Sequence, residues 1–325
     1  QLDVLNADFR RLNNNAVNTR KEFLPFAADT KIEFFLATED PDGNPTSGIT
    51  HNYTSRSGFD YISFEDFFTG NITLDEVKSS STGGVDPWDT ERYINVWVCN
   101  VQESFLGQVL GFAYPPINVD VALETLDWET SPDWSGLGLE TLSSDLQGIV
   151  LHYTTVGPDN PQADDDGFSE NNYGKTLIHE IGHYLGLRHI WGDATFGSGC
   201  SADDGISDTP NQSEASSFNC NLNQNTCSDP SIDYPDMVEN YMDYSSDQCM
   251  NMFTLDQKSV IRAIIEIARP GLLTWDINTY PSGDLNSDYY INILDVIIMV
   301  NYILDININN EESADLNNDM TLDIL

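Results

Sequence analysis

The stretch Thr176-Leu-Ile-His179-Glu180-Ile-Gly-His183-Tyr-Leu-Gly186-Leu-Arg-His189 decides how the rest of the chain is read. It has the form H-E-x-x-H-x-x-G-x-x-H. On a helix, His179 and His183 stand four residues apart, so their imidazoles share one face. Two neutral imidazoles at that spacing can share one Zn²⁺. Glu180 falls beside the metal rather than on it, where it can take a proton from an attacking water. Gly186 can adopt positive φ, end the helix and turn the chain back sharply. His189 can then reach the same metal. Three protein ligands leave one position open, the layout of a catalytic zinc site rather than a closed structural one.

A bare H-E-x-x-H can arise on any amphipathic helix. Here three of the chain's five histidines fall within one stretch at ligand spacing, and the added Gly186 and His189 sharpen the pattern. Downstream, Asn240-Tyr-Met242-Asp-Tyr244 supplies a methionine-bearing turn, and the run continues to Phe253.

These residues resemble the metzincin metallopeptidases. The Gly186–Gly192 ending (GLRHIWG) and the run Glu239–Phe253 (ENYMDYSSDQCMNMF) resemble in particular the pappalysin family and its bacterial members. Val4–Arg11, Ile32–Ala37 and Ile94–Asn100 carry the likeness toward the N-terminus, so that it covers roughly residues 1 to 270. The resemblance implies an α/β (α+β) zincin-like fold, a mixed sheet beside a zinc-binding helix. It implies Met242 in a turn under the three imidazoles, and Tyr244 as a tyrosine that swings to support the transition state. The plainer reading of Tyr244 is a core tyrosine near the site. Asp247 matches the position at which bacterial relatives place an acid at the floor of the S1′ pocket. Such an acid would pair with a cationic side chain, so cleavage is expected on the N-terminal side of Arg, with Lys second. Secretion is implied as well. The family's signal peptide and inhibitory pro-segment are not in this sequence, which is read as a mature or trimmed form.

Thirteen Lys and Arg stand against 53 Asp and Glu in 325 residues, a formal net charge of −40. So acidic a surface repels nucleic acid and anionic membranes; it suits divalent cations or a saline habitat. No run approaches the ~20 apolar residues of a membrane span. Hydrophobic content of 40% is ample for a core. Of the five cysteines, Cys200, Cys220, Cys227 and Cys249 cluster after the zinc motif without C-x-x-C spacing. Two disulfides are the simplest reading, with three pairings open; the resemblance implies Cys200–Cys227 and Cys220–Cys249. Cys99, in an apolar strand pattern, is read as a buried free thiol.

Val4, Leu5, Phe9 and Leu12 predict a helix over 3–17. Ile32–Ala37 and Tyr93–Val101 read as strands, and Thr73 with Glu76 forms a capping-box pattern opening a short helix at 74–78. Gly148–Val156 reads as a strand, which the resemblance makes the sheet edge above the cleft where substrate would lie extended. His152 within it is a strand residue, since the three-His set is complete. Residues 157–172 form a polar acidic loop. Asp203–Pro210 offers hard oxygens in a tight turn that suits Ca²⁺; the resemblance points to Asp204, the Ser207 carbonyl and Thr209. Leu255–Ala268 predicts an amphipathic helix capped by Thr254.

Beyond a catalytic domain at 1–278, residues 279–283 read as a linker and 284–325 as a second unit. Asp284, Asn286, Asp288, the Tyr290 carbonyl and Asp295 fall at positions of a calcium loop. The pattern returns 31 residues later at Asp315, Asn317, Asp319, Thr321 and Asp323. The duplicated loop and helix resemble a dockerin module, which implies a cohesin-like or scaffold partner. Tyr289 and Met320 stand where the loop normally has Gly, and the second loop stops at its eleventh position, so weak calcium binding is expected. An acidic solvated tail is the plainer alternative.

The expected function is a secreted zinc endopeptidase acting on proteins or peptides, with one catalytic Zn²⁺ and structural Ca²⁺. The rival is a calcium-dependent binding or scaffold-docking protein with a vestigial zinc site. The intact Glu180 argues against it, because a purely structural site has no use for an acid there.

Overall fold

The computed structural model describes residues 1–62, 72–103, 107–135, 139–165, 171–193, 199–228, 232–273 and residue 296. The chain separates into two units, Gln1–Leu272 and Leu273–Leu325. The linker at 279–283 and every calcium-loop residue from Asp284 to Asp323 lie outside the described residues.

In the first unit the helices are α1 (Leu2–Phe9), α2 (Val119–Leu123), α3 (Pro161–Asp165), α4 (Lys175–Tyr184) and α5 (Leu255–Ala263). The strands are β1 (Ala27–Ala28), β2 (Phe59–Asp60), β3 (Val96–Cys99), β4 (Val101–Gln102), β5 (Gly111–Ala113), β6 (Ile149–His152) and β7 (Phe253–Thr254). The three-stranded sheet has the order β3-β6-β5. β3 runs parallel to β6, with Trp97 opposite Val150, and β5 runs antiparallel, with Gly111 opposite Leu151. All four residues of β6 are buried. Because side chains alternate across a strand, Ile149 and Leu151 join the main core with Ile178 and Ile181 of α4. Val150 joins a smaller core on the other face with Phe59, Leu74, Trp97 and Val101. The sheet is thus apolar on both faces, with α4 on one of them, which is the expected mixed zincin arrangement.

Several local expectations are corrected. Of Gly148–Val156 only Ile149–His152 forms a strand, and it is central in its sheet rather than an edge; the edges are β3 and the antiparallel β5. β3 and β5 pair with its two sides. Ile32–Ala37 joins no ladder. Instead the Asn6 side chain receives the Phe34 N–H (2.7 Å) and donates to the Phe34 carbonyl (2.9 Å), satisfying that residue's backbone without a partner strand. The first helix stops at Phe9, and Leu12 is exposed. Thr73 is no N-cap: a 3₁₀ turn spans Thr73–Lys78, and Glu76 pairs with Arg56 (2.6 Å) rather than reaching back. By contrast, Thr254 caps α5 as expected. Its hydroxyl receives the Gln257 N–H (3.1 Å), and Gln257 Oε1 receives the Thr254 N–H (3.0 Å).

Candidate metal centre and active site

α4 is buried on every side, and its buried Lys175 is paired with Asp8 (2.6 Å). Its N-terminus is preceded by Gly174 at φ +74°. The Asp247 carboxylate receives the N–H groups of Tyr173 (3.0 Å) and Lys175 (3.1 Å), a favourable place for an anion at the positive end of a helix. At the other end, Gly186 N–H donates to His183 O (2.9 Å) and Leu187 N–H to Gly182 O (2.9 Å). These two bonds, with Gly186 at φ +86°, make the Schellman turn that ends the helix. A Cβ on Gly186 would also come within 2.8 Å of Ile264. The predicted break therefore occurs, and it carries His189 back over the helix.

The three imidazoles converge. Nε2 of His183 lies 3.1 Å from Nε2 of His179 and 3.0 Å from Nε2 of His189, and the third separation is 3.2 Å. Each ring has an acceptor at its other nitrogen. His179 Nδ1 donates to Tyr241 O (2.7 Å), His183 Nδ1 to Leu187 O (2.8 Å) and His189 Nδ1 to the Asp193 carboxylate. With the proton held at Nδ1, every Nε2 presents a lone pair to the others. Three lone pairs at such distances repel unless a cation lies between them. Nitrogens about 2.05 Å from one tetrahedral ion would stand roughly 3.3 Å apart, close to what is found. The donor set fits Zn²⁺, and it is the one such His, Cys, Asp and Glu group among the described residues. Burial holds His183 down to about 3 and His179 well below its ordinary value, so both stay neutral ligands.

Glu180 is buried, and burial pushes its carboxyl up to about 8. It lies over the edge strand: a Cβ on Gly111 would fall 2.6 Å from its Oε1. Met242 is fully buried, with Sδ where a Cβ on Gly182 would stand (2.3 Å). The turn is fixed by Asn240, whose Oδ1 receives the Met242 N–H (2.9 Å) and whose amide pairs with Gln257 of α5. Tyr244 packs its ring 5.4 Å from that of His179 and 4.7 Å from that of His189, and it is 38% exposed. Burial of the hydroxyl, then the nearby carboxylates of Glu180 and Asp193, keep it protonated.

The mature mirolysin of Tannerella forsythia, in complex with a cleaved peptide, superposes with a TM-score of 0.65 at 35% identity, covering 84% of this chain and 86% of that one. An extracellular metalloprotease of Sordaria macrospora is 35% identical over 251 residues, 75% of this chain and 73% of that protein. The chain belongs to the pappalysin family of zinc metallopeptidases. Residues 163–266 match the peptidase M43 family, described as pregnancy-associated plasma protein-A. An extracellular metalloprotease of Arthroderma otae is 41% identical over 100 residues, 31% of this chain. For that relative and several others the matched part spans about a third of the curated protein, 34% in each case.

The disulfides are Cys200–Cys227 and Cys220–Cys249. Cys99 is free and half-buried, its thiol pushed up to about 12 by burial. His152 is a buried strand residue whose Nδ1 receives the Val101 N–H (3.2 Å). Asp247 is brought to α4, where its carboxylate already serves two backbone N–H groups. Asp204 is buried and receives the Thr209 hydroxyl (2.9 Å), while Ser207 is exposed. Among the described residues no helix is long and apolar enough to cross a membrane. Sequence reasoning missed Asp193, Gly111, Trp191 and Phe218. Only Asp193 left a signal, four residues after His189.

Proposed function

We propose that this chain is a secreted zinc-dependent endopeptidase that cuts proteins or peptides N-terminal to Arg, and less well to Lys. The observation that carries the reading is the convergence of three Nε2 lone pairs beside the buried Glu180 carboxylate. His179, His183 and His189 would hold the metal. Bound there, zinc supplies a Lewis acid that polarises the scissile carbonyl and lowers the pKa of water to about 7. Glu180 takes the proton of the attacking water and returns it to the leaving amine. Tyr241 O, Leu187 O and Asp193 keep the three rings in one tautomer and orientation. Tyr244, with its proton retained, donates to the oxygen that gains charge. Asp247 receives the cationic side chain at S1′, and its burial strengthens that pairing. Structural Ca²⁺ belongs at Asp204, the Ser207 carbonyl and Thr209. Residues 284–325 form a dockerin-like calcium module for a scaffold partner, separate from a catalytic domain at 1–278. The peptide in the mirolysin complex supports the substrate class.

The test is hydrolysis of a fluorogenic Arg peptide by zinc-loaded protein. Cleavage should stop with a zinc chelator, and Glu180→Gln should reduce kcat at least 10²-fold with zinc retained. A Glu180→Gln protein of undiminished activity overturns the mechanism. A zinc-replete wild type that cuts nothing transfers the case to a binding or docking protein. An apolar P1′ preference in a peptide library would remove the role given to Asp247.

A further inference from the structure

Phe218 combines features that core packing does not explain. It is 47% exposed, and it follows Ser217 in a second consecutive left-handed conformation, at φ +51° and +56°. Bulky L-residues disfavour that region and persist in it only where the surroundings over-determine them. Here they do. Phe218 N–H donates to Tyr244 O (2.6 Å). The Ser216 N–H and the Gln212 amide both reach Asp243 Oδ1 (3.2 and 3.1 Å), and Cys220 is joined to Cys249 two residues further along. The loop is pinned to the methionine turn at Asp243 and Tyr244 and to Cys249 beyond it, and what it presents to solvent is an aromatic ring.

That ring adjoins the site. It lies parallel to Tyr244 (6°) with centroids 6.1 Å apart. Tyr244 also meets Trp191 edge-on at 4.8 Å, and Trp191 stacks on His189 at 4.2 Å. A row of rings therefore runs from solvent at Phe218 to the metal ligands.

We propose that Phe218 is a specificity-determining residue: its exposed ring forms an apolar wall of the cleft beside Tyr244 and takes an aliphatic or aromatic substrate side chain next to the bond that is cut. This rests on the peptidase reading above. Burial of an apolar side chain against the ring would discriminate Leu or Phe from Gly at that one substrate position by about tenfold.

The probe is a set of peptides with Arg at P1′ in which the residue on each side of that Arg is Gly, Leu or Phe in turn. Binding is read by fluorescence anisotropy on the zinc-loaded Glu180→Gln protein, and cleavage on the active one. Phe218→Ala should weaken binding of the Leu and Phe peptides about tenfold at a single position and leave the Gly peptide unchanged. The loss should appear in KM rather than kcat, and Phe218→Leu should recover most of it. Equal losses for all three peptides would mean that Phe218 only props Tyr244, and the proposal falls, as it does if no peptide loses affinity. If zinc-loaded wild type cleaves none of the set, the peptidase reading fails and takes this inference with it.

Discussion

Gly111 has no chemistry of its own, yet its replacement by Ala should cripple the site. A Cβ built there would lie 2.6 Å from both Cγ and Oε1 of Glu180 and 2.8 Å from Cδ. Ordinary carbon contacts begin near 3.5 Å, so the carboxyl group must retreat by about 0.9 Å. The backbone of β5 is locked in register with β6 and cannot give way as readily as the end of a side chain. Misplacement by about 1 Å can reduce a rate about 10²-fold, within the range a general base contributes. Overpacking beside a buried helix adds a stability loss of ~1–3 kcal/mol. The assay is kcat/KM on an Arg peptide, with zinc content and melting temperature measured on the same preparations. Gly111→Ala should keep one zinc per chain and lose about 10²-fold in rate. In a Glu180→Gln background the same change should lose little more, because the group it displaces is already disabled. A Gly111→Ala enzyme within about threefold of wild type, zinc intact, refutes the reasoning.

Asp193 is the acceptor for His189 Nδ1, so Asp193→Ala should weaken zinc binding about 10- to 100-fold in a chelator competition; unchanged affinity would show that this bond does not orient the ligand. Burial lifts the Asp247 carboxyl from 3.8 to about 6, against the pull of the Tyr173 and Lys175 N–H groups. The folded chain then holds that proton more tightly than the unfolded one, so this group's stabilisation is present below pH 4 and lost as pH rises through 6. Asp247→Asn keeps an acceptor oxygen and should flatten the melting profile between pH 4 and 6 relative to wild type, and parallel profiles would contradict the assignment. Calcium should raise the melting temperature of wild type more than that of Asp204→Asn; equal increments would place the calcium elsewhere.

The fold was legible where the sequence repeats a short-range rule. The N-cap at Thr254 and the Gly186 turn each depend on residues within one helical turn, and both stand as read; the Gln257 half of the capping box is added by the structure. Ile32–Ala37 shows the limit. Its residues favour strand, but whether a neighbour strand arrives is decided elsewhere, and here the Asn6 side chain bonds the Phe34 backbone instead. The edge was misassigned for the same reason. Nothing within Gly148–Val156 reports that Gly111–Ala113, some forty residues earlier, pairs with its open side.

The site divides along the same line. Ligand spacing along α4 is a local property, so His179, Glu180 and His183 could be read directly, and His189 followed from the turn. The tautomer of each ring is not local. It is set by a carbonyl in the methionine turn, by a carbonyl just past the helix and by a carboxylate four residues beyond the third ligand. Two of those acceptors are backbone atoms, which any residue type supplies and no pattern can mark. Yet they decide whether three histidines form a metal site at all. A ring flipped to present Nδ1–H inward would put a proton where a lone pair is needed. The sequence therefore names the ligands, and the tertiary fold makes them ligands by holding three protons on the outer nitrogens.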